Sequence, residues 1–244
     1  MIPGMILNPT SSAPHIWPVA QWDQFAPRVE GKPLLRELNS QALELVLHIQ
    51  ASPVFEVGIR RFGEGSFRQV FEFDELRYFF VGRGLFRADK GEVIQVEPGT
   101  AVHFKQGWSG TAEIEETLDA SYVRCAGGPS DHTPVLHNVA TAGPLKEWGP
   151  VSKPLSGSSQ TAGILLSREL DRHAESGVWT CTPGLWRCEL KSDEFCHFLQ
   201  GSSTYTHDSG EVIEVRPDTL AYFPMGWKGE CRVHETVRKV YIIR

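Results

Sequence analysis

Two glutamates repeat one spacing: six residues separate Glu75 from Gly82, and six separate Glu194 from Gly201. A carboxylate fixed on a strand becomes a candidate for proton transfer when its surroundings shift its pKa. Sulfur clusters around the second of the two, with Cys188 before it and Cys196 after it. Side chains alternate along a strand, so Cys196 is expected on the face of Glu194 and His197 on the opposite one, at the surface or an interface. The five cysteines, Cys125, Cys181, Cys188, Cys196 and Cys231, show no CxxC spacing. They read as reduced thiols in a cytoplasmic protein rather than a disulfide framework or a zinc ribbon. No G-x-S-x-G elbow supports a serine nucleophile. The stretches "GRGLF" and "GEGSF" lack the strand-to-helix context of a phosphate loop.

The elements that position these residues belong to an ordinary globular chain. Its 244 residues, 22% charged and 41% hydrophobic, leave room for two modest domains. A net charge of -6 and the lack of any basic run exclude a surface that tracks phosphates. The N-terminus does not read as a signal peptide, and no segment approaches eighteen consecutive apolar residues. The expected partner is a small polar metabolite, not nucleic acid or a membrane.

A shift of 119 positions lays residues 75–125 on residues 194–244 without a gap, with 18 of 51 pairs identical. Glu75 meets Glu194, Asp89 meets Asp208, Trp108 meets Trp227 and Tyr122 meets Tyr241. This is the mark of a duplicated domain. Two copies are too few for a solenoid, so each should close its own core. Within a copy, "VIQVEP" and "VIEVRP" alternate with period two, each after a "DKGE" or "DSGE" turn whose glycine can take positive φ. Further short apolar runs at regular spacing predict an all-β sandwich or barrel. Helical pattern is confined to the N-terminal region, in "VAQWDQF" and in "PLLRELNSQALELV", where the alternative is a strand. The predicted organisation is an extension over 1–45, a first barrel over 46–127, a Gly/Pro/Ser-rich linker over 128–160 and a second barrel over 161–244.

On these residues each copy resembles a cupin, a small jelly-roll barrel, and the whole chain resembles a bicupin: two tandem barrels with a short, partly helical N-terminal segment. The shared pieces are the Glu-x6-Gly spacing, the DxGE turn and a strand ending in Pro-x-Gly, as in "FPMGWKG". The second copy is similar to the cupin subfamily related to ethanolamine-utilisation and ureidoglycine-aminohydrolase-like cupins. The resemblance implies a metal site of three histidines and one glutamate. In the second copy the histidine positions hold Cys188 and Leu190, or Arg187 and Glu189, and then Gly229. In the first copy they hold Gln69 and Phe71, or Arg68 and Val70, and then Gly110. No cofactor is therefore expected. The alternative is a thiolate-rich site from Glu194, Cys188, Cys196 and Glu189, which would select zinc or copper(I).

A metal-free pocket of this kind would set Glu194, the candidate catalytic residue, among Trp179, Trp186, Tyr222 and Trp227, with Cys188 and Cys196 completing the substrate-binding set. An acid in an aromatic cup suits an amine or a polar ring. The structural alternatives are that Glu194 pairs with Arg187, that Trp108 and Trp227 only pack, and that Glu235 bridges to Lys239. Lys239 faces Ala120 in the other copy, and Thr182-Pro183-Gly184 has no counterpart there, so the second copy is the expected functional one. Two readings follow: a small-molecule-binding accessory or sensor, or a metabolic isomerase, lyase or hydrolase using Glu194. The resemblance also implies a homodimer.

Overall fold

The structure is a computed structural model that describes residues 15–18, 35–39, 42–51, 54–127, 135–138, 144–169 and 174–244. The chain forms two units: residues 1–9 with 24–141, and residues 10–23 with 142–244. Every regular element among the described residues is a strand. None of them is a helix long and apolar enough to cross a membrane.

The first unit contains β2 (Leu35–Asn39), β3 (Ala42–Ala51), β4 (Val54–Phe62), β5 (Gly65–Val70), β6 (Asp74–Ala88), β7 (Val93–Val96), β8 (Thr100–Phe104), β9 (Ser109–Cys125) and β10 (Val135–Asn138). They form one antiparallel sheet in the order β10-β8-β6-β9-β4-β3-β2, with β5 added to β9 and β7 to β6. The second unit contains β1 (His15–Pro18), β11 (Lys146–Pro150), β12 (Pro154–Ser156), β13 (Gln160–Glu169), β14 (Ala174–Cys181), β15 (Gly184–Glu189), β16 (Glu194–His207), β17 (Val212–Val215), β18 (Thr219–Phe223) and β19 (Lys228–Ile243). Its sheet runs β1-β18-β16-β19-β14-β13-β11, with β12 on β15, β15 on β19 and β17 on β16.

Four long strands curl these sheets into jelly rolls. In the first unit β6 pairs with β8 through Glu75–Tyr78 and with β7 through Gly84–Arg87, and its register against β9 shifts between Phe79 and Gly84. The pairing of β16 with β19 shifts likewise between Phe198 and Ser203. Gly201 sits at that bend with φ +80, and a Cβ there would lie 2.2 Å from the Thr236 carbonyl oxygen. The Glu-x6-Gly spacing thus measures the distance from the interior carboxylate to the bend.

Alternation does the rest. In β7 and β17 buried and exposed residues alternate strictly, while β8 and β18 are buried throughout. Each barrel closes on its own apolar cluster, Phe79, Phe86, Phe104 and Trp108 in the first, Phe198, Tyr205, Phe223 and Trp227 in the second. The DxGE turns form as expected, with Gly91 and Gly210 at positive φ.

Two expectations change. "PLLRELNSQALELV" forms β2 and the start of β3, because pairing with a neighbouring strand outweighs helix propensity. "VAQWDQF" lies outside the described residues. Within 128–160, read as linker, the chain builds β10, β11 and β12, and within 1–45 it builds β1, β2 and the start of β3.

Candidate functional site

The two barrels solve one electrostatic problem differently. Each holds an interior glutamate at the start of its long central strand, Glu75 on β6 and Glu194 on β16, and a buried carboxylate requires a paired cation. In the first barrel three arginines supply it. Arg60 Nη1 donates to Glu75 Oε1 at 2.8 Å, Arg77 Nε to the same oxygen at 2.5 Å, and Arg124 Nε to Oε2 at 3.1 Å. Arg60 also binds Glu44, and Arg124 Nη1 reaches Glu56 Oε1 at 2.8 Å. The Arg77 guanidinium lies 4.6 Å from the Phe71 ring centroid and 5.3 Å from that of Phe104. Burial opposes the Glu75 charge, but Arg60, Arg77 and Arg124 outweigh it and lower its pKa to about 2. The cavity of about 420 Å³ in this barrel is walled in part by Arg60, Glu75 and Arg124, whose charges are already paired with one another and with Glu44 and Glu56.

In the second barrel these three arginine positions hold Trp179, Cys196 and Ile243, and a single cation enters from β19 where the first barrel has Ala120. This is Lys239, whose Nζ donates to Glu194 Oε1 at 2.7 Å and lies 4.8 Å from the Trp179 ring centroid. Its side chain is 8% exposed and that of Glu194 13%. Burial opposes the Lys239 charge, but Cys196, Glu194 and Tyr205 raise its pKa well above the ordinary value. The lysine is therefore held as an ammonium ion beside Glu194, among aromatic rings.

Above this pair opens a cavity of about 310 Å³, at the small end of the ligand-site range. Its walls include Trp148, Trp179, Trp186, Tyr205, Phe223 and Tyr241, with Glu194, Lys239, Cys188 and Cys231 supplying polar atoms. One corner is structural. The Tyr241 hydroxyl donates to Glu175 Oε1 at 2.7 Å, as Tyr122 donates to Glu56 at 3.0 Å in the first barrel.

Of the residues selected from sequence, Glu194, Trp179, Trp186, Cys188 and Trp227 come together around this cavity. Trp227 is 1% exposed and packs edge-on against Phe223, so its part is chiefly structural. Cys196 sits in the core behind the cavity, where burial pushes its pKa well above the ordinary thiol value. Tyr222 does not join them. It lies on the other face of β18, and its hydroxyl donates to Asp193 Oδ1 at 3.0 Å. The expected amine-binding cup changes character, because the chain's own ammonium occupies it. Arg187 pairs with Asp208 instead of Glu194, and Glu235 accepts from Ser202 instead of meeting Lys239. His197 leaves the Cys196 face as expected but is buried, 3.7 Å from the Asp218 carboxylate, rather than at the surface.

The metal site implied by the resemblance does not fit these residues. A Cβ on Gly229 would lie 2.2 Å from the Thr206 carbonyl oxygen and 2.7 Å from Trp227 Cη2, so the tryptophan ring covers the place of the last histidine. Gly110 is covered by Trp108 in the same way. Glu189, proposed for a thiolate-rich alternative, is tied to Lys191 and Lys228 at 2.8 and 3.2 Å. Among the described residues no three His, Cys, Asp or Glu side chains assemble as a metal cluster. The Glu194 carboxylate is bonded to Lys239.

Sequence reasoning used Lys239 as a mark of asymmetry and a bridge to Glu235 but did not place it, Tyr205, Phe223 or Tyr241 at the site. The signal for Lys239 was present in the repeat, where it replaces an alanine while three arginines disappear.

A family model described as the EutQ-like cupin domain matches residues 49–122 and again 168–241. Among solved structures, a protein of unknown function from Pseudomonas syringae pv. tomato superposes with a TM-score of 0.73 at 13% identity, over 95% of this chain and all of that one. A cupin 2 conserved barrel domain protein from Leptotrichia buccalis gives 0.64 at 12% identity, over 86% and 92% of the two chains. Streptomyces albus HEPD, solved with 2-hydroxyethylphosphonate and Fe(II), gives 0.64 at 8% identity, over 97% and 77%. At these identities the likeness is one of fold. No curated protein matches in sequence.

Proposed function

The chain belongs to the EutQ-like cupin family, and from that premise we propose that its second barrel is a metal-independent binding site for a small, flat metabolite bearing a carboxylate or carbonyl oxygen. The observation that carries this reading is the buried Lys239 ammonium, bonded to a single carboxylate at the base of an aromatic cavity. A cation already in place disfavours an amine ligand and favours an oxygen acceptor, while the tryptophan faces take the flat body of the ligand. The protein would then serve as a metabolic accessory or sensor.

The test is a thermal-shift screen of small carboxylates and carbonyl compounds against protein kept in a chelator. Stabilising compounds are expected to lose their effect in Lys239→Met and to keep most of it in Lys239→Arg. Binding that requires an added divalent metal, or that ignores Lys239, would sink the proposal.

Catalysis is a second reading, favoured by the contact between Glu194 and Lys239 inside the cavity: a proton acceptor beside a cation that can stabilise developing negative charge. It predicts solvent deuterium uptake at a carbon next to the ligand's carbonyl, followed by NMR and abolished in Glu194→Gln. The homodimer implied by family resemblance is part of the proposal and is read by light scattering.

A further inference from the structure

Two cysteines line the cavity beside the ion pair and take no part in it. Cys188 is on β15 opposite Gly229, and Cys231 is on β19 opposite Trp186, so they stand two residues apart in register on one face of paired strands. Both side chains line the cavity, set diagonally across the β15–β19 ladder. Cys188 is partly exposed and Cys231 is buried at 1%. The other cysteines are placed differently: Cys181 and Cys196 are buried in the core, and Cys125 belongs to the first barrel. Among the residues lining the cavity there is no imidazole to make a Cys/His nucleophile, and no third ligand makes a metal cluster. What remains is an accessible thiol backed by a second thiol.

We propose that Cys188 and Cys231 form a thiol–disulfide exchange pair opening into the second barrel's cavity, with a small organic disulfide as substrate. The Cys188 thiolate attacks one sulfur of the disulfide RSSR. A Cys188–SR bond forms, the S–S bond breaks, and RS⁻ leaves and takes a proton from water. Cys231 then loses its proton to solvent and attacks Cys188 Sγ, forming the Cys188–Cys231 disulfide and expelling a second RS⁻. Two thiols are oxidised and one disulfide is reduced to two thiols.

The order of attack follows from the surroundings. The neighbouring Cys231 thiol holds the Cys188 pKa below the ordinary thiol value; burial and the Glu194 charge oppose this, and the Lys239 charge supports it. Burial and the neighbouring Cys188 both hold Cys231 as a thiol, and modification of Cys188 removes the second of these effects.

The experiment treats the full chain with bis(2-hydroxyethyl) disulfide and follows intact mass and non-reducing peptide maps. Wild type is expected to lose two hydrogens and to yield a Cys188–Cys231 linked peptide without a lasting adduct. Cys231→Ala should instead trap one hydroxyethylthio group on Cys188. Alanine is the natural residue at the counterpart position, Ala112, so folding should be retained; Cys231→Ser provides a second trap. A stable adduct on Cys188 in wild type would overturn the proposal, as would modification of Cys125 with Cys188 untouched. The readout needs no metabolite, so it stands or falls separately from the binding reading.

Discussion

At the residue scale, Lys239 and Glu194 depend on each other more than either depends on a ligand. Removing one member of a buried pair leaves the other charged and unpaired, at a cost of about 3–5 kcal/mol. Lys239→Met should therefore destabilise the second barrel by about that amount, and so should Glu194→Gln. The double variant should cost less than the sum, because it leaves no stranded charge. Urea unfolding of the four proteins closes the cycle, and additive losses would mean that the 2.7 Å contact contributes nothing. Gly229→His offers a second test at this scale. An imidazole there collides with the Thr206 carbonyl and the Trp227 ring, so the variant should lose stability by about 1–3 kcal/mol and gain no affinity for divalent metal. Metal binding by titration calorimetry would refute that account of the site.

At the element scale, the strands were legible from alternation and turn residues, and the repeat located matching positions, but the filling of each barrel was not. The sequence around Glu75 and that around Glu194 look alike, yet one glutamate meets three arginines and the other a lysine from β19. Arg77 lies two residues along β6 from Glu75, but the other partners come from β4, β9 and β19, and only the replacement pattern hinted at the difference. Tyr222 shows the limit of composition: an aromatic residue one place out of phase faces Asp193, while Phe223 lines the cavity. The arginine cluster also gives the first barrel its acid response. Glu75 titrates near 2 in the fold against an ordinary 4.5, so its contribution is fully present above about pH 4.5 and is lost as pH falls toward 2. Hydrogen exchange in β6 and β9 should rise over that window in wild type. In Glu75→Gln the window should vanish, along with about 3 kcal/mol of stability at neutral pH.

At the scale of the whole molecule, the described strands other than β12 correspond from barrel to barrel, with one exchange of origin. The edge strand beside β8 is β10, which follows the first barrel in the chain, while the matching strand beside β18 is β1, from the start of the chain. His15–Pro18 pairs with Thr219–Tyr222 as Val135–Asn138 pairs with Thr100–His103. Deleting residues 1–23 should leave the β18 edge unpaired and raise amide exchange at Thr219–Phe223, with β8 unchanged. Equal effects on both strands, or none, would contradict the pairing.

That exchange sets a clock on synthesis. β10 finds β8 within a few dozen residues, whereas β1 leaves the ribosome roughly 200 residues before its partner β18, a wait of about 10–40 s at ordinary translation rates. A strand made early is placed late, and for that interval the nascent chain carries an unpaired edge that any other sheet could claim.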